Sequence, residues 1–412
     1  MNATPQNGAA EAVVLSSFEE AREAFRSREL RQALYDEGRA LMEGVIVNLH
    51  GQAHLARRRL ENRLFRRDTF AYYEREVIPA AVEEVLKPAL AEGRGDLLPL
   101  ARRTMMTISL AIAGIDRRSG SIAEFDRLYE LMVRLNRGSN VVHATGDKAA
   151  ITADGLRALE EFDAEFLAPS KARRLGLLRE LERGAIEESE LPRDVLTTLL
   201  RNQDELELPE DVVRREVAYF PWVGSFSTSD AFVHAIDHVF GWIADHPGAR
   251  AELRTNRLLL QRFVHESIRL HPASPEARRH ALAPVELRSG RRIPEGAVVV
   301  IDITAANRDP SVFGPDADDF NPYRPLGDDV SPWGLSFGHG LHACLGQELA
   351  GGLAGGPEVD PATHLYGAVT VMAQVLLEHG ARPDDAERPE RDPASTRPHF
   401  GRFPVVFDAS LA

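Results

Sequence analysis

The order of structural elements along the chain is the feature that most constrains its fold. Segments with helical periodicity dominate the chain before Pro272 and cover residues 18–25, 54–67, 72–90, 97–115, 122–135, 151–167 and 211–245. After Pro272, short apolar runs separated by turn residues predict strands at residues 285–287, 292–294 and 298–301. Early helices followed by late strands favour a mainly α fold with small β-sheets (α+β) over alternating βαβ units.

Three segments of this pattern make specific predictions. Residues 211–245 form a long apolar-rich segment that contains Pro221, which is expected to kink or divide a helix because it lacks an N–H group. Residues 351–360 are glycine-rich and predict a break. Residues 363–378 predict a helix, and residues 403–407 predict a final strand.

Charge and hydropathy exclude several classes of function. The 412-residue chain has 49 basic and 63 acidic side chains, for a net charge of −14. This charge argues against nonspecific binding to nucleic acid or to an anionic membrane. No stretch approaches the ~20 apolar residues that span a bilayer, and the first dozen residues lack the pattern of a secretory signal. We therefore expect a soluble, cytoplasmic protein with no nucleic-acid or membrane partner.

The only cysteine, Cys344, lies in the segment 331–346, which reads SPWGLSFGHGLHACLG. One cysteine excludes an intrachain disulfide and cannot by itself build a multi-cysteine zinc or iron–sulfur site. The glycines allow close approach of the backbone to a bulky group. Backbone N–H groups and a helix beginning after the cysteine would favour a thiolate. We interpret the segment as a site for a cysteine sulfur bound to a metal.

Two other interpretations of this segment stay open on the residues alone. A lone cytosolic cysteine is usually a small buried apolar residue. Gly338, Gly340 and Ala343 also satisfy the dinucleotide pattern G-x-G-x-x-A. The preceding Pro332-Trp333-Gly334 is a poor lead-in strand for that pattern, and no βαβ unit surrounds it.

Residues 337–346 resemble the F-x-x-G-x-H-x-C-x-G haem-binding loop of the cytochrome P450 family at all five fixed positions. The resemblance implies the P450 fold with a shortened N-terminus, in a single haem–thiolate domain over residues 1–412 whose residues 1–12 are a disordered tail. It implies heme b (iron protoporphyrin IX) with Cys344 as the axial thiolate. His342 would bind a haem propionate, Phe337 would pack beside the sulfur, and Gly346 would belong to the same haem-binding loop.

Further motifs resemble the same family. His54 and Arg58 lie four residues apart, on one helix face, and resemble its H-x-x-x-R motif. Arg279 resembles the arginine that follows the E-x-x-R helix, with Arg278 a near-equal choice. These side chains would bind the propionates together with His342.

The E-x-x-R motif itself is supplied by Glu266 and Arg269. The segment begins like the zinc motif H-E-x-x-H, but arginine stands at the position of the second zinc ligand, which excludes a metalloprotease. The resemblance adds Arg324 as a second arginine. A carboxylate held by two guanidinium groups would be a structural lock.

The match weakens at the oxygen site. Residues 223–228 (VGSFST) align best with the family's A/G-G-x-D/E-T-T. Gly224 would keep the groove for oxygen, and Ser227 or Thr228 would donate protons. Phe226 replaces the acid, and Asp230 is expected to lie too far along to substitute without a helix irregularity. This departure motivates an alternative, a haem–thiolate enzyme with other chemistry (peroxygenase, oxidative coupling or cyclisation). A second alternative is a non-enzymatic haem or ligand-binding protein.

The resemblance also implies a reaction and partners. We expect a monooxygenase that inserts one oxygen atom from O2 into a small, largely apolar substrate, by hydroxylation or epoxidation, in secondary metabolism. Electrons would come from an external ferredoxin and its reductase, docked on the arginine-rich segment 54–67. His399 or Arg402 would contact a polar end of the substrate. The expected pocket residues are Phe220, Val223, Phe226, Ala273, Ser274 and Phe400.

Overall fold

Helices supply most of the ordered chain, and the computed structural model describes residues 12–355 and 359–411. The helices are α1 (Phe18–Arg26), α2 (Arg39–Met42), α3 (Gly51–Glu61), α4 (Arg67–Tyr72), α5 (Ile78–Glu92), α6 (Leu97–Ala113), α7 (Ile122–Ser139), α8 (Lys148–Phe162), α9 (Ala168–Glu182), α10 (Val195–Arg201), α11 (Glu210–Asp245), α12 (Ala249–Thr255), α13 (Arg257–Leu270), α14 (Ile303–Ala306), α15 (Pro310–Phe313), α16 (Gln347–Gly351) and α17 (Ala368–Glu378). The predicted mainly α fold class is confirmed. Nearly all of the predicted N-terminal tail, residues 1–11, lies outside the described residues.

Short strands form four small sheets in the described residues. The strands are β1 (Val13–Leu15), β2 (Leu30–Gln32), β3 (Arg94–Asp96), β4 (Glu276–Ala281), β5 (Val285–Glu286), β6 (Arg292–Ile293), β7 (Val298–Asp302), β8 (Ala381–Pro383), β9 (Glu390–Arg391), β10 (Phe400–Arg402) and β11 (Pro404–Phe407). The largest sheet has the order β1-β7-β4-β2, in which β1 runs parallel to β7 and the other pairs are antiparallel. The remaining sheets are β3-β11-β8, β9-β10 and β5-β6.

Helix α11 spans 36 residues and connects two hydrophobic cores. Its first half packs with α7, α8 and α10 in one core, and its second half packs with α5, α13 and α17 in another. Of the two effects expected of Pro221, a kink or a division of the helix, division is excluded, because the helix continues through it. Pro221 is buried, and burial of its ring offsets part of the cost of the missing backbone hydrogen bond. Within the described residues, no helix is long and apolar enough to cross a bilayer.

The segment after Cys344 does not continue as one helix. Helix α16 ends at Gly351, and the next helix begins at Ala368 instead of Thr363. Gly367 has a φ of +82°, which excludes it from a helix, and the carboxylate of Glu74 accepts its N–H at 2.7 Å. That carboxylate also accepts the N–H of Tyr366, so it fixes the two residues that precede α17. Gly356–Glu358, inside the predicted break, lie outside the described residues.

Glu266, Arg269 and Arg324 meet in the interior, away from the cavity described below. Two nitrogens of Arg269 donate to the Glu266 carboxylate at 2.7 and 2.8 Å, and Arg324 donates to it at 3.2 Å. The three side chains are at most 5% exposed. Arg269 also donates to the carbonyl oxygens of Asn307 and Ala317. This buried network joins α13 to the loop that precedes residues 331–346, which we call the cysteine segment.

We expect Arg324→Met to destabilise the protein by about 3 kcal/mol or more, because it breaks a buried ion-pair network. The free energy of unfolding, measured in urea, checks this. The matched control is Arg292→Met, since Arg292 pairs with Glu286 on the surface, where both side chains are largely exposed. That change should cost less than about 1 kcal/mol. Equal effects of the two substitutions would contradict the assigned role.

Candidate functional site

One cavity of about 640 Å³ brings the predicted site residues together. Its walls come from α3, α6, α7, α11, β4, the cysteine segment and the loop that precedes β10. The sequence-predicted residues on these walls are His54, Arg58, Gly224, Ser227, Thr228, Arg279, Phe337, His342, Cys344 and Gly346, with Phe220, Val223, Phe226, Ala273 and Ser274 of the predicted pocket.

The cysteine segment is held by one backbone hydrogen bond and by close packing. The N–H of Cys344 donates to the carbonyl oxygen of Phe337 at 2.8 Å. The ring of Phe337 lies edge-on to Trp333, at 5.6 Å between centroids. Gly340 has a φ of +70°, and a Cβ there would stand 2.8 Å from the carbonyl oxygen of Phe25 in α1. Only glycine fits at this turn. The turn packs the segment against α1 and leaves Cys344 exposed to the cavity.

The surroundings of Cys344 do not ionise it on their own. Burial raises the pKa of the thiol, and the hydrogen bond from the Gly346 N–H and the charge of Arg58 only partly oppose that effect. The loop N–H of Gly346 favours the thiolate, as expected from the sequence, but desolvation of the sulfur outweighs this effect in the protein alone. Helix α16 has only five residues and contributes little dipole. A bound metal cation, which deprotonates a coordinating thiol, would change this balance.

Four basic side chains converge beside the cysteine segment. The rings of His54 and His342 stack with 4.0 Å between centroids. Arg58 donates to the carbonyl oxygen of Ala343, next to the cysteine. Arg279 lies on β4, where alternate residues are buried, so its side chain faces inward and donates to Gln32 Oε1 at 2.5 Å.

The same alternation decides between Arg278 and Arg279. The neighbouring Arg278 points to the other side of β4 and pairs with Glu276 at 2.7 Å. Only Arg279 lines the cavity. Of the two arginines that the sequence analysis considered, the structure thus places Arg279 at the site and excludes Arg278.

These four basic side chains fit an anionic ligand, because the described residues provide no carboxylate partner for them. Nε2 of His54 is buried without a hydrogen-bond partner among the described residues. No carboxylate lies within 4.0 Å of the Arg58 or Arg279 guanidinium in that same part of the chain. Burial lowers the pKa of Arg279 to about 10 and, together with neighbouring basic groups, that of His342 to about 3. These residues fit a haem: the four basic side chains would bind its propionates, and Cys344 would ligate its iron.

The residues predicted for the oxygen site occupy one face of α11. Gly224 allows α11 to approach α6, because a Cβ there would stand 2.7 Å from Ser109 Oγ. Ser227 Oγ donates to the carbonyl oxygen of Val223 at 2.6 Å, within its own helix. Phe226 is buried, with the Arg102 guanidinium 4.6 Å from its ring centre, although it also reaches the cavity wall.

Asp230 reaches the cavity without any irregularity in α11, contrary to expectation. It lies four residues after Phe226, on the same helix face. Its carboxylate is 3.0 Å from His399 Nδ1 and 3.5 Å from Arg102 Nη2. Burial alone would raise the pKa of Asp230, but the charge and hydrogen bond of His399 and the charge of Arg102 lower it to about 2. The cavity wall therefore carries an ionised carboxylate.

Two residues of the predicted pocket lie elsewhere. Phe400 is not on the cavity wall, because β10 turns its ring into the core against Phe403, at 5.1 Å between centroids. Arg402 is on the surface and pairs with Glu387. His399 does line the cavity, as the sequence analysis considered.

Sequence reasoning missed several polar side chains of the cavity. Arg102 comes from α6, Asn140 and His143 follow α7, and Arg397 comes from the loop before β10. These residues are far apart in the chain and share no local motif. No signal in the sequence alone brings them together.

The arginines of the segment 54–67 differ in how far they are exposed to solvent. Arg57 is buried and pairs with Glu216 at 2.7 Å, so it cannot dock a partner. Arg67 is exposed and pairs with Glu348 of α16 at 3.3 Å. Arg59, Arg63 and Arg66 are also exposed. An exposed basic face thus remains beside the cysteine segment.

Comparisons with known proteins agree with this geometry. A family model described as "Cytochrome P450" matches residues 180–351. A curated relative, "Cytochrome P450 BJ-3" of Bradyrhizobium diazoefficiens, is 34% identical over 166 residues, which cover 38% of this chain and 38% of the relative. The chain therefore matches well under half the length of that relative, and 19% of the length of the Drosophila melanogaster "Probable cytochrome P450 313a1".

Solved structures extend the similarity to the whole fold. The crystal structure of CalO2 superimposes with a TM-score of 0.72 at 23% identity, covering 98% of this chain and 92% of that chain. HmtN, described as a post-tailoring hydroxylase involved in himastatin biosynthesis, has a TM-score of 0.70 at 17% identity, covering 98% and 95%. At these identities the likeness concerns the fold.

We expect Arg279→Gln to weaken haem retention, because it removes a charge-assisted contact worth roughly 1.5–3 kcal/mol. The rate of haem transfer to apomyoglobin should rise about 10-fold or more. Arg278→Gln is the matched control on the opposite side of β4 and should leave the rate unchanged. Equal rates in wild type and Arg279→Gln would contradict the assignment.

Proposed function

Because this chain belongs to the cytochrome P450 family, we propose that it is a haem–thiolate monooxygenase that inserts one oxygen atom from O2 into a small organic substrate. One observation carries the proposal. Cys344 and the four basic side chains line the same cavity, and those side chains lack protein carboxylate partners among the described residues. A bound heme b would supply the redox chemistry that activates O2.

Different residues would hold the iron and the propionates of the haem. Cys344 would ligate the iron through its sulfur. His54, Arg58, Arg279 and His342 would bind the propionates, and the stacked histidine rings fix the position of that contact. Burial of these groups excludes water, which strengthens each charge-assisted hydrogen bond.

Proton supply supports a reaction that uses O2 over the alternatives. The sequence suggested other chemistry because Phe226 replaces the expected acid. Asp230 instead provides a carboxylate on the same cavity wall, hydrogen-bonded to His399. Nε2 of His399 is buried without a partner among the described residues. With its Nδ1 proton donated to Asp230, the His399 ring can accept and release a proton at Nε2, as general acid–base catalysis requires.

The cavity also supports a substrate of modest size. Its volume of about 640 Å³ lies within the usual range of ~300–1,000 Å³ for small-molecule sites. Apolar walls near α11 include Phe220 and Val223. The description of HmtN as a tailoring hydroxylase of a biosynthesis supports, by analogy of fold, a role in secondary metabolism.

The reduced carbon-monoxide difference spectrum tests the proposed site. The wild type loaded with haem should give the thiolate-type band, and Cys344→Ser should lose it while remaining folded. A folded wild-type protein that takes up haem without that band would overturn the proposal. The compound with the largest spin-state shift then serves as substrate. Incorporation of labelled oxygen from O2 with a ferredoxin and reductase supports monooxygenation, and turnover with peroxide alone supports the peroxygenase alternative.

We also propose that a ferredoxin docks on the exposed arginines of α3 and the segment that follows it. Arg59, Arg63 and Arg66 are free of ion pairs among the described residues and lie near α16, which follows Cys344 directly. This basic face is complementary to an acidic electron donor.

Charge reversal tests this docking face. The double change Arg63→Glu and Arg66→Glu should slow reduction by an acidic ferredoxin about 10-fold or more at low salt. Reduction by dithionite should be unchanged, and Arg292→Glu on a distant surface is the control. Equal slowing with both reductants, or no slowing with ferredoxin, would contradict the docking face.

A further inference from the structure

One end of the cavity carries polar side chains that the proposed reaction does not use. We name it the polar end and define it by Tyr35, Arg137, Asn140, His143 and Arg397, all of which line the cavity. Asn140 and Arg137 come from the end of α7, and His143 lies in the turn that follows. Arg397 lies in the loop before β10. The feature is unexpected beside the apolar wall of α11.

Arg397 is the least satisfied charged group at this end. Its Nη2 donates to Asn140 Oδ1 at 3.1 Å. Its Nε is buried and has no acceptor in the part of the chain that the structure describes. No carboxylate of those residues lies within 4.0 Å of its guanidinium. A partly buried guanidinium without a close counter-ion favours an anionic ligand, because desolvation disfavours the unpaired charge.

The nearby acids are already committed to other cations. Asp230 is held by His399 at 3.0 Å and faces Arg102 at 3.5 Å. Glu276 is held by Arg278 at 2.7 Å. Neither carboxylate forms an ion pair with Arg397, although the charges of both favour its protonated form from a distance. The excess charge at the polar end is therefore positive.

His143, beside Arg397, also carries a hydrogen-bonding group without a partner among the described residues. His143 is 6% exposed, and its Nε2 is buried with no partner among the described residues. Burial and the surrounding cations, Arg397 foremost, lower the pKa of His143 to about 3, so the ring is neutral. A neutral imidazole with an N–H at Nε2 can donate to an anion. Together, Arg397 and His143 present donors with no protein acceptor.

The loop that carries Arg397 is fixed in place. Ala144 and Ser395 form an antiparallel bridge. The N–H of Thr396 donates to the carbonyl oxygen of His143 at 2.8 Å. Thr145 Oγ1 donates to the carbonyl oxygen of Pro393 at 2.8 Å. The guanidinium is thus held in position before any ligand arrives, which lowers the entropic cost of binding.

We propose that Arg397, assisted by His143, binds a carboxylate group of the substrate, so that the substrate class is an organic acid. The planar guanidinium matches a carboxylate in a two-bond contact, which supplies the missing counter-ion. The apolar part of the acid then lies along α11 toward Cys344. This inference rests on the proposed function, since it takes the cavity's ligand to be the substrate.

The test uses imidazole-anchored probes of graded length. Alkanoic acids that carry imidazol-1-yl at the far end are compared with their primary amides, which keep the shape and lose the charge. Calorimetry measures the affinity of each probe for the haem-loaded protein, and the Soret band reports whether the imidazole reaches the iron. At the best length, the acid should bind about 10- to 100-fold more tightly than the amide.

Substitutions assign that preference to a residue. Arg397→Gln should remove the preference for the acid and leave amide binding unchanged. Arg397→Lys should keep part of it. The matched control is Arg402→Gln, because Arg402 lies five residues later and pairs with Glu387 on the surface. It should keep the full preference.

The outcomes separate the two proposals. Equal affinity for acid and amide at every length overturns the carboxylate site, whatever the Soret band shows. A preference for the acid that survives in Arg397→Gln also overturns it. Absence of a Soret shift with 1-butylimidazole contradicts the proposed haem function, while calorimetry still decides the carboxylate site. A similar haem content and thermal midpoint in Arg397→Gln and wild type show that its loss of preference is local.

Discussion

The site depends on a cysteine sulfur and a set of basic side chains for which the described part of the protein provides no neutralising partner. One wall of the cavity presents a cysteine sulfur, and the adjacent edge presents His54, Arg58, Arg279 and His342. Burial disfavours both the thiolate and the free cations. A ligand with a central cation and anionic groups at its rim satisfies both requirements, and an iron porphyrin with propionates has that distribution of charge. The fold positions these residues by a glycine turn, by one strand and by one helix face.

The long helix α11 connects this site to the rest of the fold. Its two halves belong to two cores, so its position is determined by packing along its whole length. The helix passes unbroken through Pro221, and its residues between Tyr219 and Ala231 contribute to the cavity wall. Phe226 and Asp230, one helical turn apart, are among them. The proposed proton donor and part of the proposed substrate pocket therefore lie on one helix.

Local motifs were predictable from the sequence, and contacts between distant segments were not. The cysteine segment and the Glu266–Arg269 pair were identified because their residues are close in the chain and their spacing is fixed. The strand that holds Arg279 was missed, since residues 276–281 (EARRHA) are mostly charged or basic and contain no apolar run. The helix predicted from residue 363 begins only at residue 368, because Gly367 has a positive φ and donates its N–H to Glu74, almost three hundred residues earlier. Arg397 was missed because the residues around it, Asn140 and His143 at the end of α7, are distant from it in the chain.

Whether sulfur of Cys344 bonds to iron is the question that decides the account most directly. Iron X-ray absorption of the haem-loaded protein measures the atoms bonded to the metal. The account predicts a sulfur atom bonded to iron in the wild type and none in Cys344→Ser. A folded, haem-loaded wild type whose iron has no sulfur neighbour would contradict the central claim.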